Sequence, residues 1–465
     1  MKVLLVSPNI ESLPDPVFPI GLAYITGALR ENRIEHQVLD LCFSENYDAS
    51  IKSALTSFEP DIIGISLRNF DNVSYPNYIS YLPFHRHVVQ TIREKSRARI
   101  VLGGSGFALM PDALLAYLGA DFGIVGEGEA SFVSLINDLD GKKDLHGSLK
   151  PGLIGVRPAI IKDLDDIAIP DRSCFDNEAY LKFGGMGNVQ TKRGCPFKCV
   201  YCTYPVIEGK NTRLRNPELV SDEIESILEY GINNIFFVDN TFNYPVDHAE
   251  AICREMISRK LPIKWSCYAN PGFITPRLIE LMIAAGCTGV EFGSDAANQT
   301  MLVNLGKNFS VTDLRKASTI CRQAGMSFCH SLLLGGPGET METVHQTFDA
   351  VLGMSPTATI CMIGIRVFPK TRLSVIAMEE QFIDPQQDFL KPVFYLSQAI
   401  ENEILPFIKK FSKENSTWIF PGLNINIDTE LQKKLRRFGI KGPLWEYMKM
   451  GKGSISAKLF LPRTD

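Results

Sequence analysis

The sequence lacks several features that would place it in a functional class at once. No stretch approaches the roughly 20 consecutive apolar residues of a membrane-spanning helix, and Pro8 and Asn9 stop the apolar start MKVLLV well short of a signal-peptide core. Positive charge is not in excess, because 48 Lys and Arg residues stand against 52 Asp and Glu residues, a net charge of −4. This balance argues against nucleic acid as the main partner.

A disulfide framework is also missing, since the eleven cysteines are odd in number and irregular in spacing. We therefore expect a reduced, cytoplasmic protein. Three of the cysteines, Cys195, Cys199 and Cys202, nevertheless lie within eight residues in TKRGCPFKCVYC (191–202). No second C-x2-C pair accompanies them, which disfavours a zinc ribbon. Three thiolates on one loop can instead hold three irons of a 4Fe–4S cluster and leave the fourth iron open to another ligand.

The pattern of apolar runs predicts an α/β protein of two or three domains. Over 1–140, short Val/Ile/Leu-rich runs alternate with helical stretches, which predicts a doubly wound, Rossmann-like parallel sheet; its fifth predicted strand is DFGIVGEGE (121–129). A Gly-, Lys- and Asp-rich connector follows at 141–186. Six further βα units over 187–375 predict a partial (β/α)6 barrel with its active site at the carboxyl ends of the strands.

The tail, 376–465, lacks this rhythm and predicts a small, mainly helical cap over the substrate. Phe394 and Tyr395 fit one helical face, and the basic run LQKKLRRFG predicts a solvated helix surface. Together with Trp418 these aromatic side chains suit an apolar or aromatic substrate, although aromatic residues in a helical tail more often form the core.

The cysteine loop, with Tyr201 before its last cysteine, resembles the C-x3-C-x2-C signature of the radical S-adenosylmethionine superfamily. Three later strand ends extend the resemblance: FVDN (237–240), EFGSD (291–295) and LLLGGPGE (332–339). The last of these is similar to the G-x-I-x-G-x-x-E motif, with Leu in place of the first Gly. FPKT (368–371) resembles the P-G-T corner with Lys in place of Gly. As an ordered series on successive strands, these motifs are not explained by chance.

This resemblance implies a 4Fe–4S cluster on the three cysteines, with S-adenosylmethionine chelating the open iron. The implied S-adenosylmethionine contacts are Tyr201, Asp239, Asn240, Glu291, Ser294, Gly336, Glu339 and Arg366. For Asp239 a helix cap, and for Glu291 a structural anion, are the alternatives.

The first domain resembles the cobalamin-binding module that precedes the barrel in a large branch of the same superfamily. The matching features are S-P-N at 7–9, FPIGLAY at 18–24, G-G at 103–104 and G-E-G-E at 126–129. With the barrel, the resemblance covers about 1–375. The implied cobalamin contacts are Ser7, Pro8, Asn9, Ser66, Arg68, Gly103, Gly104, Gly126, Glu127, Gly128 and Glu129.

The D-x-H-x-x-G motif, which supplies a histidine ligand to cobalt in modules of the methionine-synthase type, is missing from this sequence. A histidine-ligated cobalt is therefore not expected. Arg68 directly follows the third strand, where two roles remain open: facing the lower side of the cobalt, or pairing with Asp71 or a phosphate of the nucleotide tail.

The family resemblance implies a cobalamin-dependent radical methyltransferase that acts on an unactivated carbon of a small molecule, lipid or natural-product precursor. An electron donor such as flavodoxin or ferredoxin is implied as a partner. The alternatives are a radical rearrangement, cyclisation or oxidation, and a non-radical methyl transfer from cobalamin. The complete cysteine triad argues against a non-enzymatic cobalamin or cluster sensor. The sequence specifies neither the substrate nor the oligomeric state.

Overall fold

The computed structural model describes residues 1–12, 15–141 and 152–452, and it contains two α/β units in succession. Each is built on a parallel sheet, of six strands in the first unit and seven in the second. The predicted fold class is confirmed.

The first sheet has the strand order β2-β1-β3-β4-β5-β6, with all neighbours parallel. Its strands are β1 (Lys2–Ser7), β2 (Glu35–Asp40), β3 (Ile62–Ser66), β4 (Arg99–Gly103), β5 (Phe122–Gly126) and β6 (Gly152–Ala159). Its helices are α1 (Ile20–Glu31), α2 (Tyr47–Phe58), α3 (Leu82–Lys95), α4 (Pro111–Leu118) and α5 (Gly128–Asp140). The chain reverses its direction of winding between β1 and β3, which creates a ligand-binding crevice beyond their carboxyl ends.

Two predictions for this unit were wrong. The connector predicted at 141–186 contains β6, which pairs with β5 and extends the sheet. Gly152 and Pro158 weaken the strand pattern there, and such residues are tolerated because β6 is an edge strand. The strand predicted over 121–129 ends at Gly126, since α5 begins at Gly128.

The second sheet has the order β17-β14-β13-β12-β11-β10-β7. Its strands are β7 (Gly187–Val189), β10 (Asn234–Phe237), β11 (Lys264–Ala269), β12 (Cys287–Asp295), β13 (Ser327–Leu334), β14 (Ala358–Ile363) and β17 (Trp418–Ile419). Two further strand pairs are β8 (Lys192–Arg193) with β9 (Arg213–Leu214), and β15 (Ile365–Arg366) with β16 (Phe394–Tyr395).

The helices of this part are α6 (Asn177–Phe183), α7 (Tyr204–Ile207), α8 (Pro217–Leu228), α9 (Val246–Ser258), α10 (Pro276–Ala284), α11 (Gln299–Asn304), α12 (Val311–Gln323), α13 (Met341–Met354), α14 (Arg372–Glu379), α15 (Ile404–Phe411) and α16 (Thr429–Arg437). The end strands β7 and β17 have no mutual pairing, so this is an open barrel.

Side chains alternate between the two faces of this sheet, apart from register shifts at Trp265/Ser266 and Gly293/Asp295. On β13, for example, Phe328, His330 and Leu332 are buried beneath the helices, whereas Ser331 and Leu333 on the other, concave face are only half-buried. The same alternation on β11, β12 and β14 leaves the concave face open to the interior of the barrel.

The tail differs from its prediction in three places. Phe394 and Tyr395 form β16 and not a helical face. Trp418 lies on β17, adds a seventh strand to the sheet and packs in the core, 4.5 Å from the Phe348 ring and 4.9 Å from the Phe411 ring. The predicted basic helix is α16, but its Arg436 is buried in a bidentate ion pair with Asp15.

Within the described residues, no helix is both long enough and apolar enough to cross a bilayer.

Replacing Trp418 by Ala is expected to lower the free energy of unfolding by about 3–5 kcal/mol, because this 2% exposed side chain would leave a cavity among aromatic neighbours. Denaturant unfolding followed by far-UV circular dichroism measures the loss. Phe438→Ala is the control: Phe438 is 73% exposed, and its removal should change stability by less than about 0.5 kcal/mol. Equal effects of the two substitutions would contradict a core position for Trp418.

Candidate active site

The cysteine loop lies between β8 and α7 and is held in place by its backbone. Gly194 has a φ of +87°, and a Cβ there would lie 2.1 Å from the Asn211 carbonyl oxygen, so glycine is required. The Gly194 N–H donates to Glu208 Oε2 at 3.0 Å, and the Cys195 N–H donates to the Gly209 carbonyl at 3.1 Å. These contacts fix the direction in which the first cysteine leaves the strand.

The three thiols of the loop differ in their exposure. Cys195 is buried, whereas Cys199 and Cys202 are half-buried. Burial raises the pKa of all three thiols, that of Cys202 to about 12, so a bound metal is needed to ionise them.

A buried cation, Lys307, lies beside this loop. Its Nζ is 2.6 Å from Asp295 Oδ2, and Asp295 also accepts a hydrogen bond from the Tyr201 hydroxyl. Burial opposes the charge of Lys307, but the nearby carboxylate of Asp295 and the thiol of Cys199 raise its pKa. The sequence analysis missed both Lys307 and Asp295. Asp295 closes the quoted EFGSD motif, but nothing local marked Lys307.

Asp239 and Asn240, predicted to contact S-adenosylmethionine, both make hydrogen bonds to the cysteine loop and the residues before it. The buried Asp239 carboxylate accepts bonds from the Thr191 N–H at 2.7 Å and the Thr191 hydroxyl at 2.6 Å. It does not cap a helix, the alternative considered from sequence. Asn240 donates to the Gly194 carbonyl at 3.3 Å. Both side chains therefore join the end of β10 to the start of the loop.

Two further predicted S-adenosylmethionine ligands have other partners, and we withdraw them. Ser294 is fully buried on the helix-covered face and bonds His330 Nδ1 at 2.7 Å. Arg366 donates from Nε to Asp71 at 3.0 Å, and its two terminal nitrogens donate to the carbonyls of Val367 and Phe389. Ser294 points away from the barrel interior because side chains alternate along β12. Arg366 is engaged by Asp71, a residue of the first domain.

Glu339 lies in the G-G-P-G-E turn that follows β13. Its Oε2 accepts the backbone N–H groups of Gly335 and Gly336, while its Oε1 is buried without a hydrogen-bond partner among the described residues. Burial raises the pKa of this carboxyl to about 7. An orphaned acceptor in this turn fits a ligand that brings a hydrogen-bond donor, as the hydroxyl and amino groups of an adenosyl moiety would.

The crevice of the first sheet has room for a ligand between Ser66 and Gly103. A Cβ on Gly103 would meet no atom within 4 Å, whereas one on Gly104 would lie 2.7 Å from the Leu67 carbonyl oxygen. Gly103 therefore borders open space, and Gly104 lets the chain turn with a φ of +98°. Ser66 is half-buried at the same level. These features suit the threading of a nucleotide tail past the sheet.

The two carboxylates of the G-E-G-E motif face the second domain and not the crevice. Glu129 Oε1 is 2.7 Å from Arg193 Nη2, and Glu127 Oε1 is 2.6 Å from Arg213 Nη2 and 3.5 Å from Arg193 Nη1. All four side chains are almost fully buried. We therefore withdraw Glu127 and Glu129 as cobalamin contacts: they tie the first domain to the residue that precedes the cysteine loop.

Arg68 follows β3 at the mouth of the crevice and faces the barrel. Asp71, considered as its partner from sequence, is held by Arg366, so that pairing was wrong. The side chain of Arg68 is exposed, and its charge lowers the pKa of Tyr204 and Tyr268; the Glu291 carboxylate more than offsets this effect at Tyr268, and desolvation together with Glu208 does so at Tyr204. Since Tyr204 lies two residues after Cys202, the strand ends of the first sheet and the cysteine loop line one cleft.

Elsewhere in the described residues, one group has metal-like spacing: His36, Asp171 and Cys174. The Asp171 carboxylate already accepts two hydrogen bonds from Ser173, and it lies 3.4 Å from the Arg30 guanidinium. These contacts account for the arrangement without a metal.

Comparison with known proteins agrees with this architecture. The radical SAM superfamily model matches residues 189–351, and the B12 binding domain model matches residues 6–136. An uncharacterized methyltransferase, PH0819, of Pyrococcus horikoshii is 30% identical over 75% of this chain and 77% of its own length. Tryptophan 2-C-methyltransferase of Streptomyces laurentii is 26% identical over 81% of this chain and 74% of its own length.

Two solved structures share the fold. The radical S-adenosylmethionine methyltransferase TsrM from Kitasatospora setae, with cobalamin and a 4Fe–4S cluster bound, has a TM-score of 0.83 at 24% identity and covers 97% of both chains. The cobalamin-dependent S-adenosylmethionine radical enzyme OxsB has a TM-score of 0.71 at 15% identity and covers 94% of this chain and 72% of its own.

The fold and site thus define an enzyme in which a B12-binding domain precedes a radical S-adenosylmethionine barrel. The chain belongs to the cobalamin-dependent radical S-adenosylmethionine family, in its methyltransferase-like branch.

The raised pKa of Glu339 predicts a pH-dependent contribution to stability. Its folded-state pKa of about 7 exceeds the ordinary value of 4.5, so the contribution is complete below about pH 4.5 and is lost as the pH rises through 7. Relative to Glu339→Gln, the wild type should lose about 3 kcal/mol of unfolding free energy between pH 4.5 and pH 8. Denaturant unfolding across this range measures the difference. The exposed control Glu342→Gln should keep the wild-type profile.

Proposed function

We propose that the protein is a C-methyltransferase that holds cobalamin on its first domain and a 4Fe–4S cluster with S-adenosylmethionine at the mouth of its barrel. One observation carries the proposal: Val206 and Ile207 of α7, the helix that directly follows the cysteine loop, pack against the core of the B12-binding domain. The two cofactor regions therefore open onto the same cleft, where a substrate can reach both.

The cluster is proposed to be held by Cys195, Cys199 and Cys202, with the Lys307 cation beside the loop favouring the thiolate state. When bound, the cluster and S-adenosylmethionine supply radical chemistry, and cobalamin supplies a carrier for the methyl group. Tyr201, Gly336 and Glu339 are retained as contacts of S-adenosylmethionine. The buried oxygen of Glu339 accepts a hydrogen bond, and the Tyr201 hydroxyl orients Asp295 next to Lys307.

The cobalamin contacts that we retain are Ser7, Pro8, Asn9, Ser66, Arg68, Gly103, Gly104, Gly126 and Gly128. Among these, Arg68 is proposed to face the lower side of the cobalt. A guanidinium stays protonated and does not coordinate metals, so it keeps a protein ligand away from this face. An open lower face favours methyl transfer to poorly reactive centres.

Carbon is the proposed methyl acceptor, because relatives bear names such as tryptophan 2-C-methyltransferase and bacteriochlorophyllide d C-8(2)-methyltransferase. A relative named as a magnesium-protoporphyrin IX monomethyl ester cyclase makes a non-methylating reaction the second candidate. Formation of S-adenosylhomocysteine in step with product supports methyl transfer, whereas product without S-adenosylhomocysteine supports the cyclase-like reaction. Release of 5′-deoxyadenosine separates the radical from the non-radical route.

A reducing compartment, the cytoplasm, is the proposed location, because all eleven cysteines are free thiols and an iron–sulfur cluster needs protection from oxidation. A flavodoxin or ferredoxin is proposed as the electron donor.

Replacing Cys199 by Ala should remove one thiolate of the cluster and abolish reductive cleavage of S-adenosylmethionine. After anaerobic reconstitution we expect lower iron content, loss of the cluster absorption and at least a hundredfold less 5′-deoxyadenosine under reducing conditions. Cys174→Ser is the matched control, because Cys174 is equally half-buried and lies outside the loop. Wild-type iron content and cleavage in the Cys199 variant would remove this loop from the mechanism.

Replacing Arg68 by Ala should change the environment of bound cobalamin. We expect a shifted cobalamin absorption spectrum and at least tenfold slower methyl transfer, while iron content stays constant. Arg68→His should bring nitrogen hyperfine structure into the electron paramagnetic resonance spectrum of the Co(II) state, because a ligating side chain then faces the metal. Arg86→Ala, an exposed arginine on α3, is the control. An unaltered spectrum and rate in both Arg68 variants would disprove the placement at cobalt.

A further inference from the structure

The concave face of the second sheet is accessible although it lies inside the barrel. On the strands from β10 to β14, alternate side chains on this face are half-buried or exposed, while their neighbours are buried beneath helices. The accessible set comprises Phe236, Tyr268, Glu291, Ser331, Leu333 and Met362. Since these strands lie side by side in parallel, the set forms one continuous surface.

The side chains of this set are apolar or aromatic except for Glu291 and its partner Ser331. Glu291 lies directly opposite Tyr268 in the β11–β12 register, and its Oε1 accepts a hydrogen bond from the Ser331 hydroxyl at 2.5 Å. Among the described residues, no hydrogen bond reaches its Oε2. The Ser331 contact therefore orients the carboxylate and leaves one oxygen available to a ligand.

The lower end of the surface is closed by the tail of the chain. Gly289, two residues before Glu291 on the same face, lies so close to Trp445 and Glu446 that a Cβ would be within 3.0 Å of both. Trp445 also packs against Cys329 and Ala358. A molecule on the concave face is thus held between this plug and the strand ends, where the cysteine loop and Arg68 lie.

Glu291 is separated from the cluster region along its own strand. Asp295, which contacts Tyr201 and Lys307 at the cysteine loop, lies four residues after Glu291. In an extended strand this separation corresponds to roughly 13 Å along the strand axis. The Glu291 carboxylate is the main cause that raises the pKa of Tyr268 on β11, and together with burial it raises that of Cys329 on β13. This position places Glu291 farther into the barrel than the groups proposed to hold S-adenosylmethionine.

We infer that Glu291 recognises the substrate rather than S-adenosylmethionine, and that the substrate has an apolar, aromatic body carrying a nitrogen-borne, preferably cationic, hydrogen-bond donor. The body packs between Phe236, Tyr268, Leu333 and Met362, and the donor binds the free oxygen of Glu291. This inference rests on the proposed function for the reaction itself and adds the class of molecule that undergoes it.

Three probes with the same aromatic body but different head groups test this selectivity: phenethylamine, 2-phenylethanol and 3-phenylpropionate. Binding is measured by ligand-observed NMR titration of the anaerobic holoenzyme, with cluster and cobalamin loaded. The wild type should bind the amine at least tenfold more tightly than the acid, with the alcohol between them. Glu291→Gln should weaken amine binding at least tenfold and leave alcohol binding within twofold, because a charge-assisted hydrogen bond is lost.

Two further variants keep the experiment decisive. Ser331→Ala removes only the group that orients the carboxylate, so it should weaken amine binding severalfold even if the Glu291 variant is poorly folded. Glu342→Gln, an exposed carboxylate on α13, should bind all three probes as the wild type does. Equal binding of the probes, no binding of any, or unchanged amine binding in both site variants would overturn the inference.

Methylation of bound cobalamin by S-adenosylmethionine, without substrate, separates this inference from the proposed function. Glu291→Gln should methylate cobalamin at the wild-type rate. If this variant alone loses the step, Glu291 belongs to the S-adenosylmethionine site and the inference fails while the proposed function stands. If the wild type also cannot carry out the step, the proposed function fails, and the probe titration still reports on the pocket.

Discussion

The buried ion pairs between Arg193 and the carboxylates of Glu127 and Glu129 are the constraint on which the rest of the site depends. Arg193 lies two residues before Cys195, the first cysteine of the loop, and both carboxylates come from the B12-binding domain. Removing one partner of such a pair leaves an uncompensated buried charge, which typically costs about 3–5 kcal/mol. The docking of the domains and the position of the cysteine loop are therefore coupled.

Other contacts extend the same interface on the far side of the cleft. Arg366, at the end of the barrel strands, pairs with Asp71, and Asn77 donates to the Gly422 carbonyl at 2.9 Å. The cleft is thus bordered on one side by the ion pairs of Arg193 and on the other by residues 69–81, between β3 and α3, which include Asp71 and Asn77. Between them, the backbone carbonyl of Arg68 accepts a hydrogen bond from the Ser105 hydroxyl, whereas its guanidinium has no hydrogen bond or ion pair to any residue that the structure describes. An always-charged side chain directed into a cleft is available to a ligand.

Inside the barrel, strand alternation separates structural side chains from accessible ones. Ser294 and His330 point toward the helices and satisfy each other, whereas Glu291 and Ser331 point into the barrel. The tail then determines the depth of the interior, because Trp445 and Glu446 fill its lower end. The segment predicted as a cap over the substrate contributes a strand, part of the core and this plug.

The sequence by itself determined the two α/β series and the three-cysteine loop, because hydrophobic periodicity and ligand spacing are local properties of the chain. Tertiary structure alone decided the roles of Glu127, Glu129, Asp239 and Arg366, since each depends on a partner remote in the chain; Arg366 and Asp71, for instance, are 295 residues apart. The edge strand β6 and the two-residue strand β17 were likewise missed, because a neighbouring strand, and not intrinsic propensity, holds them in extended form. A motif shows that a carboxylate is present, but which group it meets is set by how the domains pack.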